Sequence, residues 1–467
     1  MTKNSMIKNN IIVVAVLALV SFSGNAQEKN WSLKESVDYA LENNISIKQT
    51  LLDKEIAEQD LKSAKGNFLP TLNGNASQNW NFGSFIDQNG SRISVDSRGN
   101  GFSLNTGVTL FNGFRNTNLH KQAELGVQAS QIQLDILQNN ISLNVVNAYL
   151  NILFNKEALK LAEEQIVISQ KSLDQIQNLV DAGARARADL LVSKSQLAAD
   201  NERLVNAQNS VDLSLLSLAQ LLQITAEGFD IEEINIDLTN AVLTYKSSGE
   251  IISYAVVNRP EIKIAELNIE NAELNYQIAR GAYYPTLSFG GGASTSYQHL
   301  QGQDDVIQII TGIDATTGEP IIVSQKNDFI DQIENNLGYN VGFSLSIPIF
   351  NGFKTDANVK RAQISKERIA LDLDAQKQTL SANIEQAFAD AKASLIQYEA
   401  SKISLESQEL AFQNEQEKYD LGVSTSFELE QVRNRVINAQ SSFLNAKYNY
   451  VFKTKVLDFY LDKPITE

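Results

Sequence analysis

Few residues in this chain are equipped for chemistry, and their types narrow it quickly. There is no cysteine, and His120 and His299 are the only histidines. Thiolate nucleophiles, disulfides and Cys metal sites are excluded, and with two histidines neither a His-based metal site nor a Ser-His-Asp triad is expected. The 55 acids outnumber the 39 lysines and arginines, for a formal charge of minus 16. That balance argues against nucleic acid as a partner, because phosphate binding needs a basic face. One acidic stretch, residues 299–336, holds Asp304, Asp305, Asp314, Glu319, Asp328 and Asp331. Their spacing matches no calcium-loop pattern and reads as a solvated loop. A carbohydrate-acting enzyme would need two acids converging in a cleft, and no pair is singled out. No catalytic group, metal site or cofactor is therefore expected, and the function must lie in the architecture.

Residues 1–26 read as a secretory signal. Lys3 and Lys8 precede the apolar run "IIVVAVLALVSF", and the small residues of "SGNA" end at Ala26. The competing reading is a membrane anchor, but a spanning helix needs about 20 apolar residues.

Beyond that segment the chain is a tandem duplication. "LFNGFRN" (110–116) and "IFNGFKT" (349–355) place Phe111 on Phe350, an offset of 239. The same offset puts Ala148 on Ala387, Gly183 on Gly422, Asp189 on Glu428 and Asn206 on Asn445. Upstream the offset is 215, with "FLPTL" (68–72) on "YYPTL" (283–287). The second half therefore carries 24 extra residues (239 minus 215), all between these landmarks. The expected boundaries are 27–249 for the first repeat and 250–467 for the second.

Between the landmarks the period is two. Leu72, Ala76, Trp80 and Phe82 share one parity, and Asn73, Asn75, Ser77 and Asn79 take the other. The second half repeats this with Leu287, Phe289 and Ala293, then Tyr339, Val341, Phe343 and Leu345. Hairpins are expected over 68–111 and 285–350, the second with a longer external loop at 299–336. Runs of about ten alternating residues suit membrane strands, and also the half-buried strands of a soluble sandwich. Four strands cannot close a barrel, and an open edge cannot face hydrocarbon, so other subunits must complete it. Two chains would supply eight strands and three would supply twelve; a lumen lined with Asn and Ser favours the larger number.

The remainder reads as helix. "SLKESVDYALENN" opens with a capping box at Ser32 and Glu35. After each FNGF a helical pattern runs to Gly183 or Gly422, roughly seventy residues and on the order of 100 Å. The helix that follows carries a heptad stripe, Leu190, Leu197, Leu204, Val211 and Leu218, repeated as Leu429, Val436, Phe443, Tyr450 and Leu457. An exported coiled-coil spacer or adhesin would explain the helices and the export, though not the matched hairpins.

With its duplicated halves, its "FLPTL" and "FNGF" landmarks and the "YDLGVST" turn followed by "NAKYNYV", the sequence resembles the outer membrane efflux factor family, the TolC-like trimeric channels. The resemblance implies a mainly α fold with membrane β. A homotrimer would form a 12-stranded β-barrel in outer membrane lipid, continued by a 12-helix α-barrel through the periplasm of a Gram-negative bacterium. It implies no enzymatic activity, and partners in a periplasmic adaptor (membrane fusion) protein and an inner-membrane pump of RND or ABC type. A passive exit duct for efflux or type I secretion is the implied role.

The resemblance also marks residues. Tyr419 matches the family's linking tyrosine and Asp189 its acidic partner, at a periplasmic gate formed by the helical turns at Gly183 and Gly422, where an adaptor is met. Ser424 stands where a linking arginine occurs, and Arg185, beside Arg187, is the cation available from the first-half turn. Glu428 stands at an aperture ring whose second acid is replaced by neutral Gln431. On this reading Asp189→Ala or Tyr419→Phe would raise single-channel conductance in planar bilayers.

Overall fold

The structure is a computed structural model that describes residues 30–86, 90–94, 96–234, 238, 241–243 and 245–465. The expected signal segment 1–26 lies outside the described residues. In chain order the elements are β1 (Asn30–Trp31), α1 (Leu33–Asn43), α2 (Ile45–Gly66), β2 (Thr71–Asn81), β3 (Ser84–Ile86), β4 (Arg92–Ser94) and β5 (Ser97–Phe111). Next come α3 (Arg115–Asp181), α4 (Arg187–Leu222), β6 (Asp230–Ile231), α5 (Ser248–Asn258) and α6 (Pro260–Gly281). The series ends with β7 (Thr286–Leu300), β8 (Val306–Ile313), β9 (Pro320–Lys326), α7 (Phe329–Asn335), β10 (Gly338–Ser346), α8 (Lys354–Asp420) and α9 (Ser426–Tyr460). The chain divides into two compact units.

One unit comprises the described parts of Met1–Leu52, Gln131–Ile264 and Asp374–Glu467. The α3 residues Val145, Tyr149 and Ile152, spaced four and three apart, are fully buried against Leu218 and Leu222 of α4 and Ala40 of α1. This spacing lays them along one helical face, and burying that face stabilises the helix more than its propensity does. The Tyr149 hydroxyl donates to the carbonyls of Trp31 (3.1 Å) and Glu232 (2.7 Å). It thereby pins β1 and β6, which pair in parallel. On α9, Tyr450 and Phe443 stack on Tyr398 of α8. The Ser32 and Glu35 capping box forms as its spacing predicts.

The other unit comprises Asp53–Ser130 and Ala265–Leu373. Its centre is a four-stranded antiparallel sheet in the order β10-β7-β5-β2. Directly opposed residues share a face, so the register tests the alternation seen in sequence. One row runs Leu72, Thr106, Gly291, Val341 and the next runs Gly74, Leu104, Ala293, Tyr339. On the reverse face one row runs Asn73, Asn105, Gly292, Asn340, and another Asn75, Ser103, Ser294, Gly338. The apolar and polar faces are thus continuous across all four strands. Among the described residues the apolar face is covered only at the far end of β7, where Phe329 of α7 packs on Tyr297; elsewhere it is bare, with Val341 80% exposed. The outer strands β2 and β10 each pair on one side only. The second hairpin contains the long insertion, which folds as a separate β8-β9 ribbon. Beside it α7 is tied to β7 by the Gln332 side chain, which donates to the Gln298 carbonyl (3.1 Å) and accepts from its N–H (2.9 Å).

Both FNGF motifs bend through two consecutive left-handed residues. Gly113 and Phe114 have φ of 68° and 63°, and Gly352 and Phe353 have 67° and 64°. A phenylalanine at positive φ is strained, and each is held by an edge-to-face contact with the phenylalanine three positions before it. Gly113 also lies where a Cβ would collide with the Gly281 carbonyl oxygen. Gly113→Ala is therefore expected to cost about 1–3 kcal/mol. The check is a lower thermal unfolding midpoint in detergent, and an unchanged midpoint would deny the close approach.

Candidate functional site

The two turns that close α3 onto α4 and α8 onto α9 have the same start. Gly183 (φ 74°) and Gly422 (φ 75°) follow the last helical residues, and Ala184 and Val423 donate back to the carbonyls of Leu179 (2.8 Å) and Lys418 (2.9 Å). These are Schellman motifs, in which a left-handed residue, usually glycine, lets the chain reverse while satisfying terminal carbonyls.

The turns then diverge. The first leads to Ala186, which offers α4 no side-chain cap. The second leads to Thr425, which forms a full capping box with Glu428. The Glu428 carboxylate accepts from the Thr425 N–H and hydroxyl, both at 2.9 Å, and from the Ser424 hydroxyl at 3.1 Å. These bonds stabilise the ionised form, so the Glu428 pKa falls below the ordinary carboxylate value. The Ser424 hydroxyl also bonds Glu415, whose pKa falls for the same reason and through the Lys418 ammonium. Glu428 thus has a structural task within its own chain, besides any part in an aperture. Gln431 is exposed on the next turn of α9, 3.5 Å from the Arg435 guanidinium.

Two side chains of the first turn reach the second. The Arg185 guanidinium lies 4.4 Å from the centre of the Tyr419 ring, and its Nη2 donates to the Tyr419 carbonyl at 3.1 Å. Such cation–π contacts contribute about 0.5–2 kcal/mol, more when shielded from water. Asp189 accepts from the Ser426 hydroxyl at 2.6 Å. Within the chain, the tyrosine and acid marked by the family resemblance are engaged separately, Tyr419 by Arg185 and Asp189 by Ser426. Among the described residues the buried Tyr419 hydroxyl has no hydrogen-bond partner, and burial raises its pKa although Arg185 opposes the shift. Within the chain Tyr419 meets Arg185 through its ring and its carbonyl.

A buried ionic cluster, which the sequence reading missed, joins α3, α4 and α9. Asp200 and Arg433 have side chains 0% and 6% exposed and form a 2.9 Å ion pair. Arg433 also donates to the Gln165 carbonyl (3.2 Å) and to the Ser169 hydroxyl, which itself bonds Asp200. Asp200 accepts in addition from Arg203 (2.9 Å) and Gln196 (3.0 Å). Glu430, bonded to Arg433, has its pKa raised by burial. A signal was available: Arg433 lies between Leu429 and Val436, and Asp200 between Leu197 and Leu204, at core spacing on the two heptad stripes. Among the described residues no group of three or more His, Cys, Asp and Glu is arranged to hold a metal, and no helix is long and apolar enough to cross a membrane.

Comparison with known proteins agrees with this geometry. The family model for outer membrane efflux proteins matches residues 37–222 and 251–461. The cation efflux system protein CusC of Escherichia coli K12 is 23% identical over 264 residues, which cover 56% of this chain and 50% of that protein. The chain spans about half the length of the curated relatives it matches. Among solved structures, CusC superposes with a TM-score of 0.76 at 19% identity, covering 95% of this chain and 96% of that one. The Campylobacter jejuni CmeC outer membrane channel gives 0.74 at 18% identity, covering 92% and 85%. At these identities the likeness is one of fold.

The buried cluster yields a stability test. Arg433→Met removes the buried cation and leaves the Asp200 carboxylate to Arg203, Gln196 and Ser169 alone, and should cost up to about 3–5 kcal/mol. The double variant Arg433→Met with Asp200→Leu should recover most of that loss in thermal melts. Additive losses would mean that the two charges do not depend on one another.

Proposed function

The chain belongs to the outer membrane efflux protein family, and from that premise we propose that it is the exit duct of a tripartite efflux or type I secretion system. Copies of the chain assemble into a trimer whose twelve strands close a barrel in the outer membrane. Twelve long helices continue the conduit through the periplasm. Solutes move through it passively once a periplasmic adaptor and an inner-membrane pump engage it, and the chain itself is no enzyme.

The observation that carries this reading is the sheet: among the described residues one face is apolar and bare except where α7 meets Tyr297, the other is lined by Asn, Ser, Thr and Gly, and the two outer strands each pair on one side only. In hydrocarbon every backbone N–H and C=O must be paired, so such a sheet is viable only when neighbours close it. The four main strands carry no Asp, Glu or Lys, and Arg98 is their one arginine. A water-filled lumen suits the polar face, and a sandwich core would not.

The helical turns supply the closed end. Arg185 on Tyr419 and Asp189 on Ser426 hold the two turns together. The exposed turn around Gly422, with Leu421, Val423 and Phe427 bare, is the surface offered to the adaptor, together with the Gly183 turn. Three Glu428 carboxylates around a narrow aperture favour cations, as charged rings do in other channels.

Single-channel recording in planar bilayers tests this. Arg185→Ala and Asp189→Ala are expected to raise conductance severalfold by freeing the turns. Tyr419→Phe should leave it at the wild-type level, because the hydroxyl holds nothing, whereas Tyr419→Ala should raise it. Glu428→Gln should move the reversal potential in a salt gradient towards zero. Purified protein that forms no channels would refute the duct, and channels indifferent to Arg185→Ala, Asp189→Ala, Tyr419→Ala and Glu428→Gln would refute the gate.

A further inference from the structure

The insertion in the second hairpin leaves the sheet on a definite side. Alternate residues of a strand share a face, so on β7 the apolar-face residues Gly291 and Ala293 are followed on that face by Thr295, Tyr297 and His299. Both ends of the insertion are held there. Before the β8-β9 ribbon, the Asp305 carboxylate accepts from the Tyr297 hydroxyl (2.9 Å) and lies 2.8 Å from Nδ1 of His299. After it, the Phe329 ring of α7 meets the Tyr297 ring edge-on at 5.0 Å, and the Thr295 hydroxyl donates to the Ile333 carbonyl (2.7 Å). The Asn327 N–H donates to the Asp305 carbonyl (2.8 Å), which closes the base of the ribbon.

This anchoring point stands at the outer limit of the apolar band. At the inner limit Phe111 of the first FNGF motif opposes Leu287, and twelve residues on (299 minus 287) His299 opposes Arg98, whose other neighbour is Trp80. Twelve strand residues at about 3.3 Å each, tilted by about 45°, climb on the order of 28 Å, close to the thickness of a hydrocarbon core. The row of Trp80, Arg98 and His299 therefore lies at the height of lipid headgroups, where aromatic side chains cluster and a charge stays hydrated. Arg98, exposed on that face, donates to the Tyr297 hydroxyl at 3.3 Å and so belongs to the same anchor as Asp305.

The ribbon beyond the anchor needs cover. β8 and β9 carry a single charge, Lys326, and a lone pair of strands is marginally stable in water. Ile310 and Ile322, directly opposed, are 66% and 53% exposed, and Ile321 and Val323 are bare on the reverse face. Hydrocarbon would not tolerate the ribbon, since among the described residues no third strand pairs with its edges. The headgroup layer offers water to those edges and the ends of acyl chains to the isoleucines. We propose that the insertion is a rim and not a lid: pinned to the lipid-facing side of the barrel wall through Asp305 and Phe329, its ribbon rests on the lipid headgroups of the outer leaflet and leaves the mouth open. A ribbon meeting its copies over the mouth would have to leave from the polar face instead. The inference rests on the duct reading above and adds to it a lipid contact beyond the strands.

Single cysteines report the position of the ribbon cleanly, because the chain has none of its own. Ile310→Cys, Val323→Cys, Val341→Cys and Asn340→Cys, each labelled with bimane in phosphatidylcholine vesicles, are challenged with a shallow nitroxide-bearing lipid and with iodide on both sides. Val341 labels should be quenched by the lipid and Asn340 labels by iodide, as befits the two faces of the wall. A label on at least one ribbon face, at 310 or at 323, should follow Val341, and Asp305→Ala with Phe329→Ala should shift it to iodide. Replacing residues 306–326 by two glycines, a gap that the Asp305–Asn327 bond shows to be short, should leave single-channel conductance at the wild-type level. Ribbon labels quenched by iodide alone, lipid quenching untouched by the paired alanines, or conductance raised severalfold by the excision would each overturn the rim. The last of these would put the ribbon in the mouth. A Val341 label that the lipid quencher does not reach would sink the duct reading itself, and the rim with it.

Discussion

A sheet edge cannot be left open in hydrocarbon, and this constraint organises the rest of the molecule. The chain builds four strands and leaves β2 and β10 each paired on one side. The unpaired N–H and C=O groups on each edge cost several kcal/mol apiece away from water. In the duct proposed above, the sheet is a fragment that other copies complete. Its alternation, its bare apolar face and its neutral polar face all become intelligible as parts of a larger closed surface.

From that surface the bends and helices follow. Each FNGF takes the chain out of a strand and into a long helix through two left-handed residues, and an edge-to-face phenylalanine pair holds each bend. The helices reverse at glycine turns built alike and then capped differently. That difference matters, because the uncapped turn is the one whose Arg185 and Asp189 reach across to the other. The duplicated halves have diverged where they meet, and the buried Asp200–Arg433 pair has no counterpart at the repeat-related positions Ala439 and Lys194.

Much of this was legible in the sequence because it is periodic. The alternation of Leu72 to Phe82 and of Tyr339 to Leu345 specified strand faces, and the steps along α3 specified its buried side. The turns at Gly183 and Gly422 could be placed because left-handed caps favour glycine. What escaped was specific pairing. Asp200 and Arg433 each looked like an isolated charge on an apolar stripe, and only three-dimensional proximity makes them partners. The Arg185 guanidinium covers the Tyr419 ring, and no local pattern tells a stacking tyrosine from a hydrogen-bonding one. Ser426 was passed over because a single serine at a helix start ordinarily reads as a cap.

Hydrogen exchange of the edge amides tests the central claim most directly. With the protein in lipid bilayers, the β2 and β10 amides that point away from their in-chain partners should be as protected as those between β5 and β7. Rapid exchange along both edges, with the inner strands protected, would mean that the sheet stays open and the account is wrong.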